Sequence, residues 1–204
     1  MLFRSDKFAF DPSSREEIRQ KTGCGGFVLL HVGRFVTTKN HLFIIDIFKE
    51  LKKLRPDAKL LLVGDGELVD GVKEYVSAKA LEDAVIFCGV VSDAERYYSA
   101  ADAFLLPSLY EGLPVVALEA EASGLDVYIS DAVTRECAIT PHVSFLPLSA
   151  GAGEWAKTIS SAPPHDRSDD AGSMRGSAFD IKKTANDLRD YYSELLNNSY
   201  GRAK

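Results

Sequence analysis

The sequence predicts an α/β fold in which one parallel sheet is wound with helices on both faces. Short apolar segments without polar alternation, such as residues 103–106, are typical of strands that are buried on both faces. Between them lie segments with the periodicity of helices, of which residues 40–54 are the clearest. Because strands and helices alternate, the strands are expected to run parallel. A chain of 204 residues has the length of one such domain.

The individual elements follow from local signals in chain order. Asp11 and Pro12 are typical of a helix start, and Gly23 is expected to close that helix. Strands are predicted at residues 27–32, 59–63, 85–88, 103–106, 127–129 and 143–146, and further helices at 40–54, 67–79, 94–100, after Pro114, at 154–160 and at 181–197. The segment 161–177 is rich in Pro, Ser, Gly and Asp and is predicted to be a mobile loop.

Composition excludes several classes of protein. The net charge of −6 argues against a nucleic-acid partner, since phosphate backbones need a basic face. The sequence has no apolar stretch of membrane-spanning length and no signal-peptide core at its start. Cys24, Cys88 and Cys137 are odd in number and lack metal-ligand spacing, which favours a reducing cytoplasm.

A candidate site lies in residues 107–120, where a strand end, a tight loop and an apolar helix follow one another. Gly112 lets a ligand approach the backbone, and Pro114 suits the first turn of the helix. The helix N-terminus is a ready anion site. Glu111 and Glu119 stand on either side of this turn, and Glu119 sits among apolar residues where burial needs a hydrogen-bond donor. A single helical Glu is usually a surface charge, and Glu121 is expected to reach water.

These residues carry a resemblance to a known family. Glu111 and Glu119, inside Glu-Gly-Leu-Pro-Val-Val-Ala-Leu-Glu-Ala, resemble the EX7E motif of retaining GT-B glycosyltransferases of family 4. Gly33, Arg34 and Lys39 resemble the Gly-Arg-x4-Lys segment after the first strand of that family's donor-binding domain. Segments 61–67, 85–90 and 179–185 agree in order and spacing, so the resemblance covers nearly the whole chain.

The resemblance implies the C-terminal, donor-binding half of a GT-B enzyme, which has a Rossmann-like doubly wound sheet. Residues 1–20 would follow the interdomain linker, 21–178 would form the nucleotide-sugar-binding domain, and 179–204 the C-terminal helix. The N-terminal acceptor-binding domain would be missing, so the isolated half is expected to be inactive. The implied reaction is hexosyl transfer with retention from a nucleotide sugar, with UDP as the expected nucleotide, to a saccharide or lipid-linked acceptor.

The resemblance also assigns roles to residues. Arg34 and Lys39 would neutralise the diphosphate, for which the planar guanidinium is well suited. With Glu111, which would face the donor sugar, they form the predicted catalytic set. Glu119 would accept from the ribose diol. The donor-binding set is completed by Gly33, by the backbone of Gly112 and Leu113, and by Gly89 and Val90, which would read the base.

Other readings remain open. Gly64-Asp65-Gly66 follows a strand like a dinucleotide fingerprint, but the third glycine would fall at Val69. The four histidines lack ligand spacing, His31 is expected to be a satisfied structural residue, and no metal or other cofactor is predicted. A sugar-nucleotide epimerase and a non-catalytic nucleotide-sugar-binding module remain alternatives.

The sequence departs from the family at Asp126, where proline is usual. The cytoplasm is the expected location, at the inner face of the membrane if the full-length enzyme associates with it peripherally.

Overall fold

The computed structural model describes residues 4–167, 174 and 177–201. Within them, a six-stranded parallel sheet has the strand order β3-β2-β1-β4-β5-β6. The strands are β1 (Val28–Val32), β2 (Lys59–Val63), β3 (Val85–Gly89), β4 (Ala103–Leu106), β5 (Asp126–Ser130) and β6 (Val143–Leu146). This order reverses between β1 and β4, as in doubly wound folds, and confirms the predicted Rossmann-like α/β class.

Helices cover both faces of this sheet. They are α1 (Pro12–Thr22), α2 (His41–Leu54), α3 (Val69–Ala78), α4 (Ala94–Ala100), α5 (Val115–Ala122), α6 (Gly151–Ser161) and α7 (Ile181–Gly201), with short 3₁₀ helices at Ser5–Phe8, Thr37–Lys39, Arg135–Cys137 and Leu148–Ala150. In the part of the chain that the structure describes, none of the helices combines the length and apolarity needed to cross a bilayer.

The first helix shows how local sequence sets these bounds. The Asp11 side chain accepts hydrogen bonds of 3.1 Å from the backbone N–H groups of Ser13 and Ser14. Gly23 then ends α1 in the left-handed conformation, with φ of 65°. An N-cap carboxylate and a left-handed C-terminal glycine satisfy the free backbone groups at the two ends of a helix. The predicted bounds of α1 follow from these two residues.

The core consists of two apolar layers, one on each face of the sheet. Successive strand residues alternate between them: Leu30 and Phe104 face α1, α4 and α5, whereas Leu29 and Leu105 face α2, α3 and α6. Period-two alternation is the rule for strands, and burial on both faces explains why the strands read as unbroken apolar runs.

The predicted mobile segment 161–177 is only partly described. Residue 161 ends α6, and residues 162–167 have no regular structure. They are nonetheless held, because the Arg167 guanidinium donates to the carbonyl oxygens of Ser123 at 2.8 Å and Ala101 at 2.7 Å. Met174 is fully buried in the core. Residues 168–173 and 175–176 lie outside the described part, so the prediction stays untested for them.

The loops at the carboxyl ends of β1, β2 and β3 are packed directly on one another. Gly64 has φ of +133°, and a Cβ there would lie 2.1 Å from the carbonyl oxygen of Gly33. The Gly64 N–H also donates to the Gly89 carbonyl at 2.8 Å. A positive φ and this close approach both require glycine. The loop after β2 therefore packs against the loop that carries Gly33 and Arg34.

Candidate functional site

Lys39 and Glu111 form an ion pair at the carboxyl-terminal edge of the sheet. The Lys39 Nζ lies 2.5 Å from Glu111 Oε1, and the two side chains are 15% and 18% exposed. Ser108 Oγ donates to the same carboxylate oxygen at 2.9 Å. Oε2 of Glu111 receives no hydrogen bond from the described residues. One oxygen is thus used to hold the carboxylate, and the other is available to a ligand.

The two loops that carry this pair are joined by further hydrogen bonds. Leu109 N–H donates to the Thr38 carbonyl at 2.8 Å, and Asn40 Nδ2 donates to the Pro107 carbonyl at 3.1 Å. Asn40 has φ of 57°, a left-handed conformation that asparagine tolerates better than most residues. Because β1 and β4 flank the point where strand order reverses, the joined loops lie where ligands bind in open α/β sheets.

Arg34 lies beside this pair along the chain but is not part of it. Its side chain is exposed, and it makes no hydrogen bond or ion pair with residues 4–167, 174 or 177–201. At Gly33, an added Cβ would lie 3.1 Å from the His31 ring and 3.3 Å from the Lys39 side chain. Gly33 therefore lets the Lys39 stem pass close to the backbone, while the guanidinium of Arg34 stays available to an anion.

Helix α5 points its N-terminus at the same loops, with one difference from the predicted bounds. Pro114 is the N-cap, with ψ of 97°, and the helix begins at Val115. Proline was expected inside the first turn, but it precedes the turn and its carbonyl accepts from Ala117 N–H at 3.0 Å. Gly112 is exposed, and a Cβ there would meet no atom within 4 Å. Leu113 packs against the core.

Glu119 is held by a residue that sequence reasoning missed. The hydroxyl of the buried Tyr98 donates to Glu119 Oε2 at 2.8 Å. Burial raises the pKa of Glu119, and the hydrogen bond from Tyr98 opposes that rise. Oε1 receives no hydrogen bond from the described residues. Tyr98 thus supplies the hydrogen-bond donor that burial of this carboxylate requires. One of the two oxygens expected to face a ribose diol therefore already accepts a hydrogen bond within the chain.

Glu121 contradicts the expectation that this helix reaches water there. The side chain is 0% exposed. Its Oε2 accepts from Ile139 N–H at 2.9 Å, Thr140 N–H at 2.7 Å and Thr140 Oγ1 at 2.9 Å. Burial raises the pKa of Glu121 to about 7. Residues two apart on a helix point in different directions, but here the β5–β6 connection covers the second direction as well.

That connection also reaches the candidate site. Glu111 forms an isolated parallel bridge with Val133, which follows β5. Glu121 fixes the far end of the same connection at Ile139 and Thr140. The segment that pairs with the Glu111 backbone is therefore anchored at both ends.

Two neutral histidines lie beneath the Gly33–Lys39 loop. His31 Nδ1 is 2.8 Å from the Leu105 carbonyl, but Nε2 has no partner among the described residues, so this histidine is satisfied only in part. The His41 ring stacks on Phe35 with 4.0 Å between ring centres. Burial lowers the pKa of His31 well below its usual value and that of His41 to about 4, with nearby Lys39 contributing to both. Both rings are uncharged at neutral pH, so they add no positive charge beside Lys39.

The predicted base-reading segment lies at the same sheet edge. Gly89 ends β3 with φ of +67°, and Val90 is 80% exposed. Among the described residues, no hydrogen bond joins either of them to Lys39, Glu111 or Glu119. The structure thus joins Lys39 to Glu111 directly, and it brings Gly33 against Lys39. Arg34, Gly89 and Val90 share only the location.

A cavity of about 540 Å³ lies at the opposite edge of the sheet and has arginines in its wall. Each of these arginines already donates a hydrogen bond within the chain, Arg55 to the Ser160 carbonyl at 2.9 Å. Arg15 and Arg19 bind the two oxygens of Asp102 at 2.5 Å and 2.6 Å, and Arg167 donates to backbone carbonyls such as that of Ala101. These arginines hold α1 and the segment after α6 in place. The cavity is therefore a weaker candidate for a diphosphate site than the loops that carry Arg34 and Lys39.

Three residues of the site could not be found from local sequence. Tyr98, Ser108 and Glu121 act through partners on other elements. Only the rule that a buried carboxylate needs a donor pointed to such partners, and it did not say which residue would serve.

Known proteins resemble this chain in sequence and in fold. The family model "Glycosyl transferases group 1" matches residues 14–147. EpsF of Bacillus subtilis (strain 168) is 36% identical over 158 residues, which are 75% of this chain and 41% of that protein. UDP-Gal:alpha-D-GlcNAc-diphosphoundecaprenol alpha-1,3-galactosyltransferase of Escherichia coli is 34% identical over 116 residues, 55% of this chain and 30% of that protein.

Solved structures show the same fold. The structure of Anabaena Alr3699/HepE in complex with UDP and glucose superposes with a TM-score of 0.78 at 21% identity, covering 94% of this chain and 55% of that one. The chain spans less than half the length of the curated relatives that it matches. Since the family model covers well over half of its residues, the chain belongs to the glycosyl transferases group 1 family.

Proposed function

We propose that this chain is the donor-binding part of a retaining hexosyltransferase that uses an NDP-sugar, with UDP as the favoured nucleotide. The Lys39–Glu111 pair carries the proposal, because it places a cation and a held carboxylate together at the switch point. Support for UDP comes from the E. coli relative, named for a UDP-galactose donor, and from the Anabaena structure with UDP and glucose.

Charge neutralisation would be the main contribution of this half. Departure of a nucleoside diphosphate develops negative charge, which fixed positive groups stabilise in a water-poor site. Arg34 offers a planar fork to phosphate oxygens, and Lys39 has three donors, so it can keep Glu111 while it reaches a phosphate. The N-terminus of α5 adds a partial positive charge. These groups would let the reaction proceed without a resident metal or other cofactor.

The carboxylates would position the donor. Glu111 beside a diphosphate is tolerable because Lys39 neutralises it, and its free Oε2 can accept from a sugar hydroxyl. Glu119 has Oε1 and a remaining lone pair of Oε2 for the ribose hydroxyls. The backbone N–H groups of Gly112 and Leu113 would meet phosphate or sugar oxygens. Gly89 and Val90 would contact the base.

The rest of the reaction would need an acceptor-binding domain. We propose that this domain corresponds to the part of the relatives that the present chain does not cover. That domain would hold a saccharide or lipid-linked acceptor hydroxyl against the anomeric carbon, and positioning of this kind is a large part of catalysis. The leaving phosphate would accept the proton of the hydroxyl, so no base is required here. A lipid-linked acceptor would bring the enzyme to the cytoplasmic face of a membrane.

Calorimetric titration with UDP, GDP and ADP tests the donor site. We expect saturable binding of UDP, weakened at least about tenfold by Arg34→Ala and by Glu119→Gln, since charged hydrogen bonds of this kind contribute about 1.5–3 kcal/mol. Arg189→Ala is the matched control, because that guanidinium pairs with Asp190 on the exposed face of α7. Equal binding by Arg34→Ala and the unchanged chain would contradict the assignment.

A second experiment separates transfer from simple binding. The chain is mixed with a separately produced acceptor domain, and transfer from UDP-glucose or UDP-galactose is followed by NMR in the presence of EDTA. Formation of an α-linked product from the α-linked donor supports a retaining transferase that needs no metal. UDP binding without transfer under any pairing would favour the non-catalytic module.

A further inference from the structure

Three side chains of types that can ligate a metal ion meet at the amino-terminal edge of the sheet, opposite the candidate donor site. They are Asp126, the first residue of β5, His142, which precedes β6, and His165, which follows α6. One ligand atom from each lies within 4.8 Å of the other two. His142 Nδ1 is 3.4 Å from Asp126 Oδ1, and His165 Nδ1 is 3.8 Å from Asp126 Oδ2. The three residues are far apart in sequence, which is why their spacing did not indicate a site.

The fold brings these donors together through backbone contacts. Parallel pairing of β5 and β6 places Asp126 beside His142, and Val127 N–H donates to the His142 carbonyl at 2.9 Å. The His165 ring is set by a contact of 3.0 Å between its Nε2 and the carbonyl oxygen of Gly124. Because a carbonyl can only accept, Nε2 carries the hydrogen and Nδ1 remains as the potential ligand. Metal-binding histidines are commonly oriented by such a second hydrogen bond.

The chemistry of the donor set points to one class of ion. Two imidazole nitrogens and one carboxylate oxygen suit zinc and similar divalent transition metals, whereas calcium and magnesium prefer oxygen ligands alone. The three side chains are 21–24% exposed and line a cavity of about 360 Å³, which leaves room for a water molecule as a fourth ligand. Metal–ligand bonds of about 2.1 Å at tetrahedral angles separate ligand atoms by about 3.4 Å. The three ligand atoms, which lie within 4.8 Å of one another, would therefore draw closer when an ion binds.

One side-chain rotation completes the geometry. The two imidazole rings are stacked with 4.0 Å between centres and 12° between planes, so their in-plane lone pairs run parallel. The contact to Gly124 sets the His165 ring, so convergence of the two lone pairs on one ion would require the His142 ring to turn about χ2, a torsion with a broad minimum.

We propose that Asp126, His142 and His165 bind a zinc ion or a similar divalent transition metal, which ties the starts of β5 and β6 to the segment after α6. The site is independent of the proposed donor site, which lies at the other edge of the sheet.

The test uses the full chain after removal of metal with EDTA and dialysis. Zinc is titrated by calorimetry and cobalt by visible absorption. We expect one ion per chain, with affinity lowered at least about tenfold by Asp126→Asn, by His142→Asn and by His165→Gln. The matched control is Asp131→Asn, an exposed carboxylate just beyond the other end of β5, which should leave the affinity unchanged.

Imidazole NMR signals identify the ligands without relying on the variants. On addition of zinc, the ring signals of His142 and His165 should shift, while those of the buried His31 and His41 should not. Absence of saturable binding, or equal binding by the folded variants and the unchanged chain, would overturn the proposal. Binding that persists in all three variants and disappears when the cysteine thiols are blocked would also overturn it.

Discussion

The hydroxyl of Tyr98, on α4, donates a hydrogen bond of 2.8 Å to Glu119 Oε2, on α5. Tyr98 is fully buried, so its hydroxyl has exchanged water for this carboxylate. The contact fixes one oxygen of Glu119, and the other receives no hydrogen bond from the described residues. A residue that touches no ligand would thereby orient the carboxylate that we propose binds ribose.

Loss of the Tyr98 hydroxyl should therefore change both the free energy of unfolding and the pKa of Glu119. Tyr98→Phe leaves Glu119 Oε2 without its donor, which costs about 1–3 kcal/mol of unfolding free energy. It should also raise the pKa of Glu119 further, because the hydrogen bond that favours the carboxylate is gone. Urea unfolding and UDP titration measure the two effects. Tyr97→Phe is the control, since the Tyr97 hydroxyl makes no hydrogen bond with the described residues; equal losses in both variants would contradict this role.

Glu121 should make stability depend on pH. Its pKa is raised in the folded chain to about 7, whereas an unfolded glutamate titrates near about 4.3. The folded state binds the proton more tightly, so this stabilisation is complete below the unfolded pKa and is lost as pH rises through about 7. The full effect is about 4 kcal/mol.

Glu121→Gln should remove this contribution. The amide keeps the shape and can still accept from Ile139 and Thr140, but it does not ionise. We expect the decline in unfolding free energy between about pH 4.5 and pH 7 to flatten, as measured by urea unfolding at each pH. An unchanged slope would show that Glu121 titrates normally.

The Lys39–Glu111 pair should be more strongly coupled than a surface pair. Both side chains are mostly buried, so screening by water is weak. A double-mutant cycle with Lys39→Met and Glu111→Gln should give a coupling of about 1 kcal/mol or more in unfolding free energy. The same cycle at the exposed Lys53–Glu50 pair should give a value near zero. Similar coupling energies for both pairs would contradict the inference that burial strengthens the Lys39–Glu111 interaction.

Gly64 should not tolerate a side chain. Gly64→Ala combines φ of +133° with a Cβ 2.1 Å from the Gly33 carbonyl oxygen, and we expect a loss of about 2 kcal/mol or more in unfolding free energy. The displaced Gly33–Arg34 loop should also weaken UDP binding. Gly71→Ala is the control: its Cβ meets open space, and alanine in a helix is favoured by about 1 kcal/mol. Equal stability of the two variants would show that the loops are not packed as described.

The elements of the fold were predictable because their signals are local. The apolar run at residues 103–106, the Asp11 cap and the Gly23 stop each act within a few residues, and β4 and α1 appear where those signals lie. Fold class followed from their alternation. Helix α5 begins after Pro114 as predicted, but Pro114 is its N-cap rather than a residue of its first turn, because the ring fixes φ and leaves ψ free to take the extended value of 97°.

The candidate site was predictable as a set of residues but not as a geometry. Loops after parallel strands share one edge of the sheet, so Arg34, Lys39 and Glu111 could be grouped in advance. Which of them touch could not. The exposed position of Arg34 and the pairing of Lys39 with Glu111 depend on how far each loop reaches over its neighbour.

The sequence by itself thus determined the order of strands and helices and the spacing of Glu111 and Glu119, because periodicity and motif spacing are properties of neighbouring residues. Only the tertiary structure decided that Glu121 is buried, that Tyr98 holds Glu119, and that Asp126, His142 and His165 meet. Burial and the partner of a polar group depend on atoms contributed by distant segments, and these come together only when the sheet and its helices pack.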